Sequence, residues 1–251
     1  MKLTLIKAIT LFGAVGLVSA AQASVVTATF TGTVLNNGVQ TDSLGLFGPA
    51  NQDLSGQSFT ASYTYDTSLG KLTVGAAGSS LCTAIANFGP CQRLGGGPNS
   101  GPLSSTAASP ITAESITING KTVTVDAKPS GSIYTENDGP TANPLYSEFH
   151  IFGGSPNGNY LFFDVYPASD AIPNSLTTPF VYAVPPSPPN YGATLYEQNT
   201  DGTVFTQLSL VPAELVVSVT TAPTPTPGAG LAGLFALLLA GWGVRSRAAR
   251  G

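Results

Sequence analysis

Histidine is almost missing from this chain: His150 is the only imidazole among 251 residues. A multi-histidine metal centre is therefore excluded. Cysteine is nearly as scarce, with Cys82 and Cys91 alone and no C-x-x-C arrangement. That removes dithiol redox chemistry and a thiolate zinc cluster. No G-x-S-x-G elbow supplies a serine nucleophile. Charge is sparse and unevenly placed, because Lys2, Lys7, Arg245, Arg247 and Arg250 sit at the two ends. The interior keeps Lys71, Arg93, Lys121 and Lys128 against all thirteen acids. A body so acidic is not built to neutralise phosphates, so nucleic acid is excluded as a partner. No body segment repeats at the helical period, and 29 Gly with 20 Pro argue against a helical or large α/β protein.

The termini are more informative. Residues 1–23 read as a secretory signal peptide. Lys2 and Lys7 form its positive start, residues 9–18 are apolar and uncharged, and Ala21-Gln22-Ala23 has the small-x-small pattern of a cleavage site. Cleavage is expected between Ala23 and Ser24, with Ser19-Ala20-Ala21 as a second option. At the other end, residues 228–244 are uncharged and apolar, spanning roughly 25 Å as a helix against a hydrocarbon core of about 30 Å. The basic tail 245–251, with Arg245, Arg247 and Arg250, follows at once and orients such a helix with its end in the cytoplasm. Residues 223–227 alternate Pro and Thr, giving a stiff extended spacer.

This tripartite tail resembles the sorting tail of PEP-CTERM proteins. The likeness rests on Pro225-Thr226-Pro227, the apolar stretch and the arginine cluster, with Thr226 standing where that family has glutamate. The segment from Asp53 to Phe59, reading Asp-Leu-Ser-Gly-Gln-Ser-Phe, also looks like the bodies of such proteins. The resemblance implies an exported protein of a Gram-negative bacterium. It would be held transiently in the inner membrane, processed by an exosortase-type protease, and associated with extracellular polysaccharide at the surface or in the matrix.

Residues 24–222 then form one domain, long enough to bury about 70% of its unfolded surface. Period-two alternation predicts strands over 25–35 and 58–66. Asn119-Gly120, Asn157-Gly158 and Asp201-Gly202 predict hairpin turns. The expected fold is all-β, an antiparallel β-sandwich or a jelly roll. Two stretches break the pattern: 89–110, expected as a long exposed loop, and the proline-rich 166–191, expected as extended coil.

Within that body, Cys82 and Cys91 are expected to form a structural disulfide, as an even pair in an exported chain. His150 shares a strand face with Glu148 and Phe152. It is either a surface histidine or, with its pKa raised by Glu148, a base. The acidic runs 136–139 and 199–202 have oxygen ligands for Ca²⁺ but lack the spacing of a calcium loop, so they are expected as turns. No metal, cofactor or catalytic residue is predicted. Three functions fit: a non-catalytic surface or matrix protein, a carbohydrate-binding module using Tyr182, Tyr191 and Tyr196, or a glycan hydrolase with two converging carboxylates.

Overall fold

The computed structural model describes residues 24–37, 40–76, 88–98, 106–125, 130–138, 147–155, 158–166, 171–185 and 191–221. Signal peptide, spacer, apolar tail stretch, basic tail and Cys82 lie outside them. Fourteen strands are described: β1 Ser24–Val34, β2 Thr41–Asp42, β3 Gln52–Asp53, β4 Ser58–Asp66, β5 Lys71–Gly75, β6 Phe88–Gly96, β7 Ile111–Ile118, β8 Lys121–Thr124, β9 Ser130–Asp138, β10 Ser147–Gly154, β11 Tyr160–Val165, β12 Phe180–Ala183, β13 Tyr191–Gln198 and β14 Phe205–Thr221. There is no helix among the described residues, hence none long and apolar enough to cross a membrane.

The all-β antiparallel expectation holds. Its form is one curled sheet, a half-barrel, in the order β5-β6-β9-β10-β11-β13-β14-β1-β4-β7-β8, with β12 added beside β14 and β2-β3 as a separate ribbon. The long strand β14 serves both arms: Thr206 and Ser209 pair with β13, while Leu210 to Thr221 pair with β1. The register slips where Thr31 faces Glu214 but Gly32 faces Pro212. Such a bulge bends a strand, and Pro212 has no N–H to lose there. Gly32 is required at this point, because a Cβ on it would lie 2.1 Å from the Val211 carbonyl oxygen.

Curling brings the inner faces of the two arms together. Phe30 of β1 stacks on Phe163 of β11 with centroids 4.2 Å apart, and Phe59 and Tyr63 of β4 pack on the same ring. Val26, Ala28, Phe30 and Phe59, Ala61, Tyr63, Tyr65 all turn inward, as their alternation predicts. Asn119 and Gly120 both have positive φ, 53° and 73°, the type I′ hairpin expected of that pair.

Both irregular stretches depart from expectation in part. Residues 88–96 are strand β6, with Cys91 and Leu94 buried, although glycine and proline hide its alternation. In the proline-rich stretch, Ile172, Leu176 and Val184 enter the core and residues 180–183 form β12. Tyr65 donates to the Leu176 carbonyl at 2.6 Å and ties this segment in place. Residues 136–138, expected as a turn, continue β9, whereas 199–202 do turn, with Gly202 N–H donating to the Asn199 carbonyl at 3.0 Å. Cys91 is not a free thiol.

Candidate functional site

The outer face of the β6-β9-β10-β11-β13-β14 arm collects polar and aromatic side chains. Each strand sends alternate residues away from the core, so Ile133, Ile151 and Phe163 go inward while Tyr134, His150 and Asp164 go outward. Register aligns them: Arg93 faces Tyr134, Tyr134 faces His150, and His150 faces Asp164. Four adjacent strands therefore lay down one row of four functional side chains. The Arg93 guanidinium carbon lies 4.9 Å from the Tyr134 ring centre, a cation–π contact. Tyr134 stacks on His150 at 4.3 Å and 12°. Phe162 closes the other side of the imidazole at 5.2 Å.

Glu148, two residues before His150 on the same face, completes a cluster. One ligand atom from each of Glu148, His150 and Asp164 lies within 4.8 Å of the others. The Tyr134 hydroxyl donates to Oε1 of Glu148, and the Tyr166 hydroxyl donates to Oδ2 of Asp164 at 2.5 Å. His150 Nδ1 lies 3.5 Å from Asp164 Oδ2. The expected solvated face is thus closed over: Glu148 and Asp164 are 8% and 5% exposed, and the His150 side chain 16%. Burial pushes the Glu148 carboxyl up to about 8, helped by the Asp164 charge, and lifts Asp164 to about 6. It lowers His150 to about 4 and outweighs the pull of Glu148, so a raised histidine pKa is not found.

The second feature on this face is an aromatic ribbon. Phe152 and Tyr160 meet at 5.9 Å, Tyr160 stacks on Tyr196 at 5.5 Å and 13°, and Tyr196 stacks on Phe205 at 5.5 Å and 24°. Cross-strand neighbours make the row, since Tyr160 faces Tyr196 and Gln198 faces Phe205. Phe205 is 48% exposed and ends the ribbon beside an open recess of about 320 Å³, near the lower end for small-ligand sites. Gln40, Thr41, Ser43, Gln207 and Ser209 line it with Phe205. Gln40 and Asp42 fix that wall: Gln40 Oε1 accepts from Ser209 N–H at 2.6 Å, while Asp42 accepts from the N–H groups of Leu46 and Phe47 and from the Thr206 hydroxyl.

Comparison with protein-family models, characterised proteins and solved structures returns no match.

Of the three tyrosines singled out by sequence, the structure puts only Tyr196 in the ribbon. Tyr182 lies on β12 opposite Leu215, and Tyr191 at the start of β13 opposite Val165, both half-buried against the core. Phe205, Tyr160 and Phe152 carry no signal of their own in the sequence. A further acidic pair lies inside the curl rather than in a cleft. Glu114 on β7, beside Tyr63, is held well above the usual carboxylate range by burial and by Glu197, and burial raises Glu197 itself to about 7.

Proposed function

We propose that this chain is an exported, non-catalytic surface or matrix protein whose body binds extracellular polysaccharide along the aromatic ribbon. The observation that carries this reading is the stacked row Tyr160–Tyr196–Phe205 ending beside a recess lined by amides and hydroxyls. Aromatic faces offer broad apolar contact to the C–H faces of sugar rings, and Gln207, Ser43 and Ser209 supply hydrogen-bond partners for hydroxyls. Rows of this kind suit a linear polymer better than a single small ligand. Affinity electrophoresis of the full chain in gels cast with bacterial exopolysaccharides tests it. Phe205→Ala and Tyr196→Ala should each weaken retardation about 10-fold, the loss of roughly 1.4 kcal/mol of contact. Equal retardation of wild type and both variants would remove the ribbon from the binding surface.

The same proposal includes the two addresses. Export removes residues 1–23, the apolar stretch holds the precursor in the inner membrane, and an exosortase-type protease cuts near Pro225-Thr226-Pro227. Intact mass of the released protein should give a chain starting at Ser24, ending near residue 227, and lighter by two hydrogens for a Cys82–Cys91 bond. Released material that still ends at Gly251 would leave the tail as a plain anchor.

A further inference from the structure

We propose that Glu148, His150 and Asp164 form a binding site for one divalent transition-metal ion of the Zn²⁺ class on the outer face of the sheet. Three donors of the right kinds converge there, two carboxylates and an imidazole, each offering an atom within 4.8 Å of the other two. Their placement is rigid, because β10 carries two of them and its neighbour β11 the third in direct register with His150.

Two atoms of the cluster point to a missing electrophile. Oδ1 of Asp164, on a side chain 7% exposed, receives no hydrogen bond, and neither does buried Nδ1 of His150. A buried polar atom left without a partner costs about 1–3 kcal/mol. A proton shared by Glu148 and Asp164 would relieve the carboxyls, but an Nδ1–H on His150 would meet Asp164 Oδ2 only at 3.5 Å, too long for a good hydrogen bond. A cation between the three relieves all of them at once. The two tyrosines act as outer supports. Tyr166 holds Asp164 through Oδ2 and leaves Oδ1 to the ion, while Tyr134 holds Glu148 through Oε1. Metal-binding carboxylates commonly have such hydrogen-bonded backing.

The donor set chooses the ion. Ca²⁺ takes six to eight oxygens and rarely an imidazole, so three donors with one nitrogen suit it poorly. Zn²⁺ accepts mixed nitrogen and oxygen ligands in a four-coordinate shell, leaving one position for water. The Arg93 guanidinium lies against the Tyr134 ring, and its charge helps keep His150 neutral, the form that binds a metal.

Because His150 is the only histidine, its ring gives an unambiguous report. The full chain, purified in detergent with its cysteines oxidised and stripped with chelator, would be titrated with Zn²⁺ while the imidazole signals are followed by NMR. Equilibrium dialysis against Zn²⁺ alone and Ca²⁺ alone gives the stoichiometry. The expected result is one Zn²⁺ per chain, with displaced imidazole signals and no matching effect of Ca²⁺. His150→Phe keeps an aromatic ring on Tyr134, and Asp164→Asn keeps the shape of the carboxyl. Each should weaken Zn²⁺ binding more than 10-fold. An imidazole signal unmoved by saturating Zn²⁺ would overturn the proposal on wild-type protein alone, whatever the folding of the variants. Undiminished Zn²⁺ binding by His150→Phe would overturn it equally. Loss of polysaccharide retardation in the ribbon variants is a separate readout, so the two proposals fail independently.

Discussion

Raising the pH from about 5 to about 8 should lower the melting temperature of the folded chain, in chelator, by on the order of 10 °C. Four buried carboxyls carry this expectation. Burial lifts Glu148 from 4.5 to about 8, Asp164 from 3.8 to about 6 and Glu197 from 4.5 to about 7, and holds Glu114 well above its ordinary range. A raised acid keeps its proton in the native state after the unfolded chain has released it. Between the unfolded and the folded value the native state therefore binds more protons, and stability falls as pH rises. His150 acts in the opposite sense. Its value drops from 6.5 to about 4, so across that window the unfolded chain holds the extra proton and stability rises with pH. Four acids against one imidazole leave a net loss of several kcal/mol toward alkaline pH, and at this size each kcal/mol is worth about 2–4 °C. Scanning calorimetry across the range checks it, and Glu148→Gln should flatten the curve. A melting temperature that stays level or climbs between pH 5 and 8 would refute the burial of these carboxyls.

Phe163→Ala should cost the fold about 3–5 kcal/mol. The ring stands where the two arms of the curled sheet meet: it stacks on Phe30 at 4.2 Å, meets Phe59 tilted at 5.7 Å and takes the edge of Tyr63 at 6.1 Å. Two of these partners belong to β4 and one to β1, so truncation opens a cavity that neither arm can fill by moving alone. Phe163→Leu retains most of the volume and should cost less, about 1–2 kcal/mol. Urea unfolding of both variants measures the pair. A loss under about 1 kcal/mol for the alanine variant would mean that the arms do not depend on this contact.

Local chemistry was legible wherever a residue's role is decided by its sequence neighbours. Asn119-Gly120 announced a type I′ turn because few other residues accept two positive φ angles in succession. The alternation of β1 and β4 was plain, since Thr and Ser separate Phe, Tyr and Val at every second position. Strand β6 is hidden by Gly95 and Gly96, and the fold needs Gly96 for another reason: a Cβ on it would lie 1.9 Å from the Ala108 carbonyl oxygen. Composition signalled a loop where close approach was the cause. β12 was masked in the same way by prolines on either side of a four-residue strand.

The cluster was half legible. That Glu148 and His150 share a face follows from period two alone. That Tyr134, Asp164 and Arg93 join them depends on the pairing of β9 with β10, β10 with β11 and β6 with β9, and register between distant strands leaves no mark in a single sequence. The same holds for Phe205 and Tyr160 in the ribbon. Covering of the face is not legible at all. Tyr134 and Phe162 lie against the imidazole, so a strand face whose alternation predicts solvent is enclosed.

The pairing of β1 with β14 has a mechanical consequence. Ser24 sits opposite Thr221, so the chain enters and leaves the fold at one spot. A tether pulled from residue 222 while the first residues are held would part the two strands rung by rung from that end. Unzipping breaks one rung at a time, whereas shear would load all eleven registered pairs together. Such a pull would reach first the strand that pairs with both β1 and β13.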